Sequence, residues 1–536
     1  MAVDSTEVEL KLWLAPEDII TLRNHPRFPG SHDHTQEVLD SIYFDSDDLL
    51  LRDHRYNLRV RRIGDKCVQT IRSTDQGVGL FERSEWEQTI EGDLPDLSRV
   101  KDASLGRILI EDVRALKPVF ETRFERTAYH LNGNGADIVM AIDEGLILAD
   151  DASRPISEIE LELKHGSPTD LFKIARDIVD IVPAELGFKS KSERGYELAE
   201  KRAVAAETAH NPELNAGMGA GRAFTLVCRA CLRHLAANVP LVLGRDGTAL
   251  HQMRVALRRL RAALSLFSAV VTDERAETIK TELRWLAREL GPARDLDTLL
   301  LEVIKPLRQQ YANEPGLVSI SNTFTRKRLK SYHHAQEAIQ SVRFRKLVLD
   351  TVEWVEVGPW STSEDALFCA RRDMPIRIFA SEQLSHRYKK IRRRGARIGE
   401  LDPKQLHSLR IQVKKARYAT EFFSSLYDRK KSVKQCKNAK SSLMQLQRHL
   451  GRLNDIVTHK ALFVDITNSR ARGLTEEQSR RRAFAAGLVI GDQQAQIHKL
   501  LDRSRKAHSR FKRAKAFWKI SSRSNTVAAP AAEEQL

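Results

Sequence analysis

Short segments in the first 200 residues alternate strictly between apolar and charged side chains. This alternation is found at 7–12, 58–61, 84–87 and 158–164. A period of two places Glu7, Glu9 and Lys11 on one face of a strand and the apolar residues between them on the other. Face after face carries charges of both signs, which is typical of a closed barrel with a polar lumen and a covered outside. For any single strand, a solvated sheet face over an apolar core is the alternative.

Beyond about residue 210 the apolar spacing becomes that of helices. Met253, Leu257, Leu260, Leu264 and Phe267 recur at intervals of three and four and form one stripe, and β-branched alternation almost disappears. The stretch around 198–222 is rich in Ala, Gly and polar residues, so it predicts a helix end followed by a linker. The last residues lack periodicity and aromatic side chains, which indicates a disordered tail.

The predicted fold class is therefore an α+β multidomain protein, with an N-terminal antiparallel β-barrel and a second, all-α domain built as a duplicated helical bundle. A length of 536 residues agrees with this division, because it exceeds what one hydrophobic core usually absorbs. The predicted bounds are 1–205 for the barrel domain, 206–222 for the linker, 223–518 for the helical domain with repeats at about 223–375 and 376–518, and 519–536 for the disordered tail.

Charge separates the two domains. The net charge of +16 combines 25 basic and 40 acidic side chains in residues 1–200 with 63 basic and 32 acidic ones in residues 201–536. A strongly basic domain implies a polyanionic partner such as polyphosphate, nucleic acid or an anionic membrane surface. An acidic domain does not bind polyanions through its net charge, so it would need a local cationic site or metal ions.

Membrane and secretory signals are missing from the sequence pattern. No apolar run reaches the roughly 18 residues of a membrane span, and the first residues lack the basic and apolar regions of a signal peptide. The five cysteines are too few and too scattered for a disulfide framework. We therefore expect no membrane insertion, a cytoplasmic location and reduced thiols.

The helical half contains an internal repeat. Segments that begin at Leu250 and Leu406 carry matching polar residues at offsets 0, 3, 7, 8 and 10 from a histidine, and each is followed by a Leu-Gly pair, at 290–291 and 450–451, that predicts a turn. Offsets 0, 3, 7 and 10 share one helix face, so each copy presents an imidazole and three cations along about 15 Å. Such a stripe repels itself without an anion, although for one helix a solvated face is the alternative. The matched residues are His251, Arg254, Arg258, Arg259 and Arg261 in the first copy and His407, Arg410, Lys414, Lys415 and Arg417 in the second.

Both halves resemble known families. The second half, over about residues 215–515, resembles the CHAD domain through these two repeats. The first half, over about residues 5–200, resembles the CYTH superfamily of triphosphate tunnel metalloenzymes, and the order of the two domains resembles that of bacterial inorganic triphosphatases. The CYTH resemblance rests on Glu7-Val8-Glu9-Leu10-Lys11, Tyr43-Phe44-Asp45, Arg59-Val60-Arg61, Glu85, Arg126, Asp143, the carboxylates of 158–162, and Ser190-Lys191.

The resemblance implies metal-dependent hydrolysis of inorganic triphosphate to orthophosphate and pyrophosphate in the barrel, and binding of inorganic polyphosphate by the ten repeat residues. It implies catalytic roles for Glu7, Glu9, Lys11 and Glu85, and substrate binding by Lys11, Arg59, Arg61, Arg72, Arg126 and Lys191. It implies that Mg²⁺ or Mn²⁺ is held by Glu7, Glu9, Asp143, Glu158, Glu160 and Glu162. Family members usually have Lys where Arg72 stands, and the spacing to Gly166 favours Glu158 and Glu160 over Glu162 as the adjacent pair of ligands.

Other functions stay open at this point. The chain could be a non-catalytic protein that binds polyphosphate or associates with polyphosphate granules, or a tunnel enzyme that acts on thiamine or nucleoside triphosphates or as an adenylate cyclase. The acidic half has no P-loop or glycine-rich nucleotide motif, which favours inorganic triphosphate. Aromatic residues make up 6% of the chain and are not interleaved with the basic runs, and no DNA-reader motif occurs, which disfavours a nucleic-acid partner.

Overall fold

The computed structural model describes most of the chain. The described residues are 3–26, 34–64, 66–73, 77–100, 115–133, 135–271, 273–468 and 475–519. The predicted disordered tail lies, from residue 520 onward, outside the described residues.

Nine strands form one antiparallel sheet among the described residues of the barrel domain. They are β1 (Val3–Trp13), β2 (His34–Asp45), β3 (Tyr56–Ile63), β4 (Lys66–Ser73), β5 (Leu80–Ile90), β6 (Lys117–Gly133), β7 (Ala136–Ala149), β8 (Ala152–His165) and β9 (Glu185–Leu186). The strand order is β5-β4-β3-β2-β6-β7-β8-β1-β9, and β1 pairs with β5 as well as with β8. The sheet therefore curls into a closed ring of eight strands with β9 added beside β1, which confirms the predicted antiparallel barrel.

Alternation along β1 separates the lumen of the barrel from its outer core. Leu10 and Leu12 are fully buried in an apolar core that also contains residues of two helices on the outside of the sheet. Glu9 and Lys11, one residue out of phase, are buried on the lumen side. The barrel domain contains the helices α1 (Pro16–Arg23), α2 (Leu50–Asp53), α3 (Pro168–Ile181) and α4 (Lys191–Ala199) among its described residues.

The helical domain has no strand among its described residues; its only β-type contact there is an isolated bridge between Gly219 and Pro375. This confirms the predicted all-α half. Its helices are α5 (Ala220–Ala237), α6 (Val239–Leu243), α7 (Gly247–Leu266), α8 (Glu274–Glu289), α9 (Gly291–Leu299), α10 (Lys305–Gln310), α11 (Pro315–Gln340), α12 (Val342–Val357), α13 (Pro359–Thr362), α14 (Ala366–Arg372), α15 (Ile376–Gly395), α16 (Pro403–Phe422), α17 (Lys430–Asn468), α18 (Glu476–Ala495) and α19 (Ile497–Arg513), with a π-helical turn at Leu300–Ile304.

The two repeat helices are α7 and α16, which pack against each other. The predicted apolar stripe of α7 is buried throughout, from Met253 to Phe267. The two predicted turns differ in outcome: Leu290 forms a bend between α8 and α9, whereas Gly451 lies inside α17, so the second turn is wrong. Gly291 also leaves room for Arg254, because an added Cβ would lie 3.1 Å from it, whereas a Cβ at Gly451 would meet Arg410 at 3.7 Å, an ordinary contact.

The predicted linker has no regular secondary structure at 206–215 and is bound to the helical domain, and from Ala220 onward its residues already belong to α5. Buried His234 and Asn238 of α5 both hydrogen-bond the carbonyl oxygen of Glu207, at 3.0 and 3.1 Å. Arg259 of α7 donates to Asn211 at 2.6 Å. Because these partners are buried polar groups, the segment completes the helical domain and is not a free tether.

One stretch, Ala220–Leu243, is long and apolar enough to cross a membrane by length and composition alone. It comprises α5 and α6, and 56% of its most apolar window is buried inside the structure. Phe224, Val227 and Val242 are fully buried in the core. This burial is what a central helix of a helical bundle shows, so the finding gives little support to a membrane span.

Candidate functional site

The lumen of the barrel contains a cavity of about 580 Å³, including its opening to solvent. All six cations that the sequence comparison assigned to substrate binding line this cavity, together with two of the predicted metal-binding carboxylates. The lining residues are Glu7, Lys11, Tyr43, Asn57, Arg59, Arg61, Arg72, Ser73, Phe124, Arg126, Glu160, Ser190, Lys191 and Ser192. A concave site with this lining is suited to a compact, highly charged anion.

On one wall, strand register joins two arginines to Glu85. Arg72 lies opposite Glu85 in the β4–β5 pairing and donates both to its Oε1 at 2.7 Å and to its Oε2 at 2.8 Å. Arg72 also lies 3.3 Å from Glu7, and Arg59 lies 3.5 Å from Glu85. Burial alone would lower the pKa of Arg72, but the charges of Glu7 and Glu85 raise it well above its usual value. Glu7 and Glu85 therefore keep Arg72 charged, and Glu85 orients both arginines.

On the opposite wall, cations and carboxylates alternate around Asp143. Arg126 faces Asp143 across β6–β7 and donates to both of its oxygens, at 2.8 and 2.7 Å. Lys191 Nζ lies 2.6 Å from Asp143 and 2.9 Å from Glu160, and it also contacts Glu158. Burial raises the pKa of Glu160, but nearby cations, Lys11 first, outweigh it and hold the pKa well below its usual range. These cations therefore favour the ionised form of Glu160.

The predicted metal ligands fall into two groups. Carboxylate oxygens of Asp143, Glu158 and Glu160 lie within 4.8 Å of one another, and all three residues are buried. Oxygen donors at this spacing fit a hard divalent cation, which would compete there with the Lys191 ammonium group that contacts all three carboxylates. Which two of the β8 carboxylates would act as ligands stays a prediction.

The second group of carboxylates lies at Glu7, Glu9 and Glu162. Glu9 pairs with Glu162 across β1–β8, so the two side chains share a face. Burial raises the pKa of Glu162, and the charges of Glu7 and Glu9 raise it further against the effect of Lys164. Carboxylates that repel one another in this way also have the donor chemistry of a divalent-cation site.

Arg61 differs from the other lumen cations. Among the described residues it has no ion pair; its guanidinium donates to the Ser41 hydroxyl at 3.0 Å. Burial, then the charges of Arg59 and Arg126, lowers the pKa of Arg61. Burial raises the pKa of Tyr43 beside it, but the charges of Arg59 and Arg61 outweigh this and lower it. An anion bound at this point would relieve the repulsion.

The helix α4 closes one end of the lumen. Its N-cap is Ser190, whose hydroxyl accepts from the Glu193 amide at 3.1 Å while the Glu193 carboxylate accepts from the Ser190 amide at 2.9 Å. This capping box fixes the first turn, from which Lys191 projects into the lumen. Arg194, one turn later, contacts Glu158. Sequence reasoning missed Arg194, although its i+3 spacing from Lys191 places both on one helix face.

In the helical domain, the repeats bring part of the predicted cations together. Burial, then the charges of Arg410, Arg258 and Arg254, lowers the pKa of Lys414 to about 7. Burial and neighbouring arginines likewise lower the pKa of His251 to about 4. We call His251, Arg254, Arg258, Arg410 and Lys414 the central basic cluster. Its two halves come from different repeats.

The other predicted polyphosphate contacts are held elsewhere. Arg259 is buried and pairs with Glu421 of α16 at 3.1 Å, and Lys415 donates to Ser265 of α7 at 3.0 Å. Each of these offset-8 residues contacts the offset-14 residue of the other repeat, as a pseudo-twofold axis requires. The remaining predicted contacts are Arg261, which is exposed, Arg417, which donates to Gln447 and Glu421, and His407, which contacts Asn454. Arg259 thus joins the two repeats and lies outside the cluster.

Comparison with known proteins identifies both halves. Residues 5–196 match the CYTH domain, and residues 226–464 match the CHAD domain. The chain is a CYTH domain followed by a CHAD domain. The CHAD match ends inside α17, so α18 and α19 lie beyond it.

Three relatives illustrate the match. The inorganic triphosphatase of Haemophilus influenzae is 32% identical over 204 residues, which cover 37% of this chain and 56% of that protein, so the match spans about half of that relative. The CHAD domain from the plant Ricinus communis is 30% identical, with 57% of this chain and 96% of that chain covered and a TM-score of 0.47. A Hippeastrum protein, described as a putative adenylyl cyclase with a dominant triphosphatase activity, is 17% identical, with 35% of this chain and 94% of that chain covered and a TM-score of 0.28.

Proposed function

We propose that the CYTH domain hydrolyses inorganic triphosphate to orthophosphate and pyrophosphate in the presence of Mg²⁺ or Mn²⁺. The observation that carries this proposal is the lumen itself, where six cationic side chains and two carboxylates line one cavity inside a closed barrel. The name of the Haemophilus influenzae relative supports the same reaction.

The lumen cations would divide the work of binding. Triphosphate carries four to five negative charges, and guanidinium groups can bind phosphoryl oxygens in a bidentate manner. Arg61, which has no ion pair among the described residues, offers a free charge, while Arg59 and Arg72 are held in place by Glu85. Lys191 enters from the closed end on α4. Substrate would thus be surrounded before any bond breaks, and charge that develops in the transition state would meet preorganised cations.

Two groups of carboxylates fit the divalent ions. Asp143, Glu158 and Glu160 would hold one ion, and Glu7, Glu9 and Glu162 would hold a second. Such ions, when bound, neutralise phosphoryl oxygens and polarise water. This chain's own contribution at the first group is to keep Glu158 and Glu160 ionised, because nearby cations outweigh burial and lower the pKa of both carboxyl groups.

The decisive experiment measures phosphate release by the full chain from triphosphate, ATP, thiamine triphosphate and long-chain polyphosphate, each with Mg²⁺ or Mn²⁺. We expect triphosphate to react fastest and only with metal present. Glu9→Gln keeps the shape of the side chain but loses its charge, so it should lower the rate roughly 100-fold. Glu121→Gln, an exposed carboxylate on β6, is the matched control. Metal-independent hydrolysis, or an unchanged rate in Glu9→Gln, contradicts the proposal; preference for ATP or thiamine triphosphate moves the substrate to those classes.

We also propose that the CHAD domain binds inorganic polyphosphate at the central basic cluster. The supporting observation is that burial, then the charges of Arg410, Arg258 and Arg254, lowers the pKa of Lys414 there. Cations of both repeats therefore lie close enough to repel one another, and a bound flexible polyanion would relieve this repulsion. Binding should weaken steeply with salt because counterions are released.

Two quadruple variants of the full chain test this proposal. Replacing Arg254, Arg258, Arg410 and Lys414 by Ala should weaken binding far more than replacing the exposed Lys330, Lys404, Lys460 and Lys499 by Ala. Equal losses would indicate binding by net charge alone. Tighter binding of RNA or DNA than of polyphosphate would make nucleic acid the partner.

For location, we propose the cytoplasm, with association with polyphosphate granules through the CHAD domain. All five cysteines are free thiols, which suits a reducing compartment. Fractionation of cells that express the chain tests this, and recovery in the membrane fraction would contradict it.

A further inference from the structure

The barrel domain and the CHAD domain contact each other at the turn that leads into α4. Arg233 of α5 donates through one guanidinium nitrogen to the carbonyl oxygen of Phe188 at 2.6 Å and through the other to the Glu193 carboxylate. Phe188 precedes the N-cap of α4, and Glu193 is the third residue of the helix. One side chain of the CHAD domain thus donates hydrogen bonds to residues on both sides of Ser190, at the start of α4.

Both carboxylate oxygens of Glu193 accept hydrogen bonds at this turn. Its Oε2 accepts from the Ser190 amide at 2.9 Å as part of the capping box, while Oε1 accepts from Arg233. A guanidinium on the free oxygen restricts the carboxylate to the rotamer that the capping box needs. The geometry of the first turn of α4 therefore depends on a residue from another domain.

That turn presents Lys191 to the lumen. Lys191 is buried, and its ammonium group meets three tunnel carboxylates, Asp143, Glu158 and Glu160. Lys191 is the first residue of α4, so a small displacement of the start of the helix would move its ammonium group by a similar amount. Ser190 and Ser192, which also line the cavity, would move with it.

We propose that Arg233 of the CHAD domain is a positioning residue for the tunnel, which fixes Lys191 through the Glu193 capping box and the Phe188 carbonyl. The CHAD domain is then a structural part of the substrate site and does more than bind a polyanion. Only the kinetic part of the test below rests on the triphosphatase function proposed above.

The first measurement needs no substrate. In the full chain, Arg233→Ala should accelerate hydrogen exchange of the backbone amides at 190–194 about fivefold or more, as loss of a helix cap does. Acetylation of Lys191, followed by mass spectrometry, should accelerate in parallel. The matched control is Lys346→Ala, which removes the 2.6 Å ion pair to Asp180 between the same two domains but on α3. It should leave both rates within about twofold of wild type.

The second measurement separates binding from turnover. Arg233→Ala should raise KM for triphosphate about fivefold with kcat changed less, because a displaced Lys191 loses binding that the ground state and the transition state share. Arg233→Lys, which can bond one of the two acceptors, should recover part of the loss and also serves if Arg233→Ala does not fold. Wild-type exchange and labelling in both Arg233 variants, or equal changes in Lys346→Ala, would overturn the proposal. Absence of triphosphate hydrolysis by the wild-type chain would overturn the proposed function alone, since exchange and labelling still decide the role of Arg233.

Discussion

Individual cations in the lumen differ in what they do for the fold. Arg72 is paired with Glu85 and Glu7, whereas Arg61 has no ion pair among the described residues. A buried cation with a partner stabilises its surroundings, and one without a partner costs free energy that only a ligand recovers. Substrate binding and folding stability therefore depend on different residues of the same cavity.

This difference predicts opposite stability effects for two matching substitutions. Arg72→Gln should lower the free energy of unfolding by about 3 kcal/mol, because Glu85 is left buried with less compensation. Arg61→Gln should leave that free energy unchanged or slightly raised, yet raise KM for triphosphate. Urea unfolding followed by tryptophan fluorescence, together with steady-state kinetics, checks both. Equal destabilisation by the two substitutions would contradict the assignment.

Lys414 predicts a pH dependence of polyphosphate binding. Its pKa of about 7 is lowered by burial, then by Arg410, Arg258 and Arg254, so the free side chain loses its proton as pH rises through 7. A bound polyanion favours the charged form, so binding takes up a proton and affinity should fall roughly fivefold between pH 6.5 and 8. Titration calorimetry in two buffers of different ionisation enthalpy measures this uptake. Lys414→Arg should flatten the profile, and an unchanged profile in that variant would refute the role of Lys414.

At the scale of elements, α4 shows how tightly the closed end of the lumen is packed. A Cβ added at Gly195 would lie 2.2 Å from the Phe120 ring, which stacks on Tyr43 with ring centroids 4.4 Å apart. Tyr196 anchors the same helix by donating to Asp45 at 2.9 Å. Gly195 and Tyr196 therefore hold the middle of α4 in a fixed position relative to the lumen.

Gly195→Ala should destabilise the barrel by about 1–3 kcal/mol, because the added methyl group overpacks a rigid aromatic contact. Gly487→Ala is the control, since a Cβ there meets nothing within 4 Å and the substitution should stabilise α18 by up to about 1 kcal/mol. Thermal unfolding of the two variants measures both effects. Similar behaviour of the two would show that α4 can shift without cost.

Sequence periodicity predicted the strands and helices and their buried faces better than it predicted which side chains contact one another. The alternation around Arg59 and the stripe of α7 depend on neighbouring residues, so both were readable from sequence. Arg259 was not, because its partner Glu421 is 162 residues away and only the docking of α7 on α16 buries the pair. Gly451 also misled, because a glycine signals a turn locally, but here it lies inside a long helix, α17.

At the scale of the whole molecule, the charge inside the barrel is opposite in sign to the net charge of its domain. Residues 1–200 are acidic overall, yet their lumen is lined mainly by cations. Under the function proposed above, the acidic exterior would disfavour nonspecific binding of long polyanions, while the lumen would select a short one that fits inside. Long polyanions would then bind to the basic CHAD domain.

The two domains are also joined by more than a covalent tether. Besides Arg233, Arg176 of α3 donates to Asp350 of α12 at 3.0 Å and contacts Glu353. The segment between the domains is bound through Glu207 and Asn211 to buried groups of the CHAD domain. The natural limit of the CHAD domain therefore lies before this segment and not at the start of α5.

This limit predicts which CHAD fragment is stable. A fragment of residues 202–519 should unfold at a higher temperature than one of residues 220–519, because the shorter fragment leaves His234 and Arg259 with unsatisfied buried groups, at about 1–3 kcal/mol each. Calorimetry of both fragments measures the difference. In the longer fragment, Asn211→Ala should reproduce part of the loss, whereas Glu213→Ala, whose side chain is 85% exposed, should not. Equal melting temperatures of the two fragments would mean that the segment only passes over the surface and adds nothing to the stability of the CHAD domain.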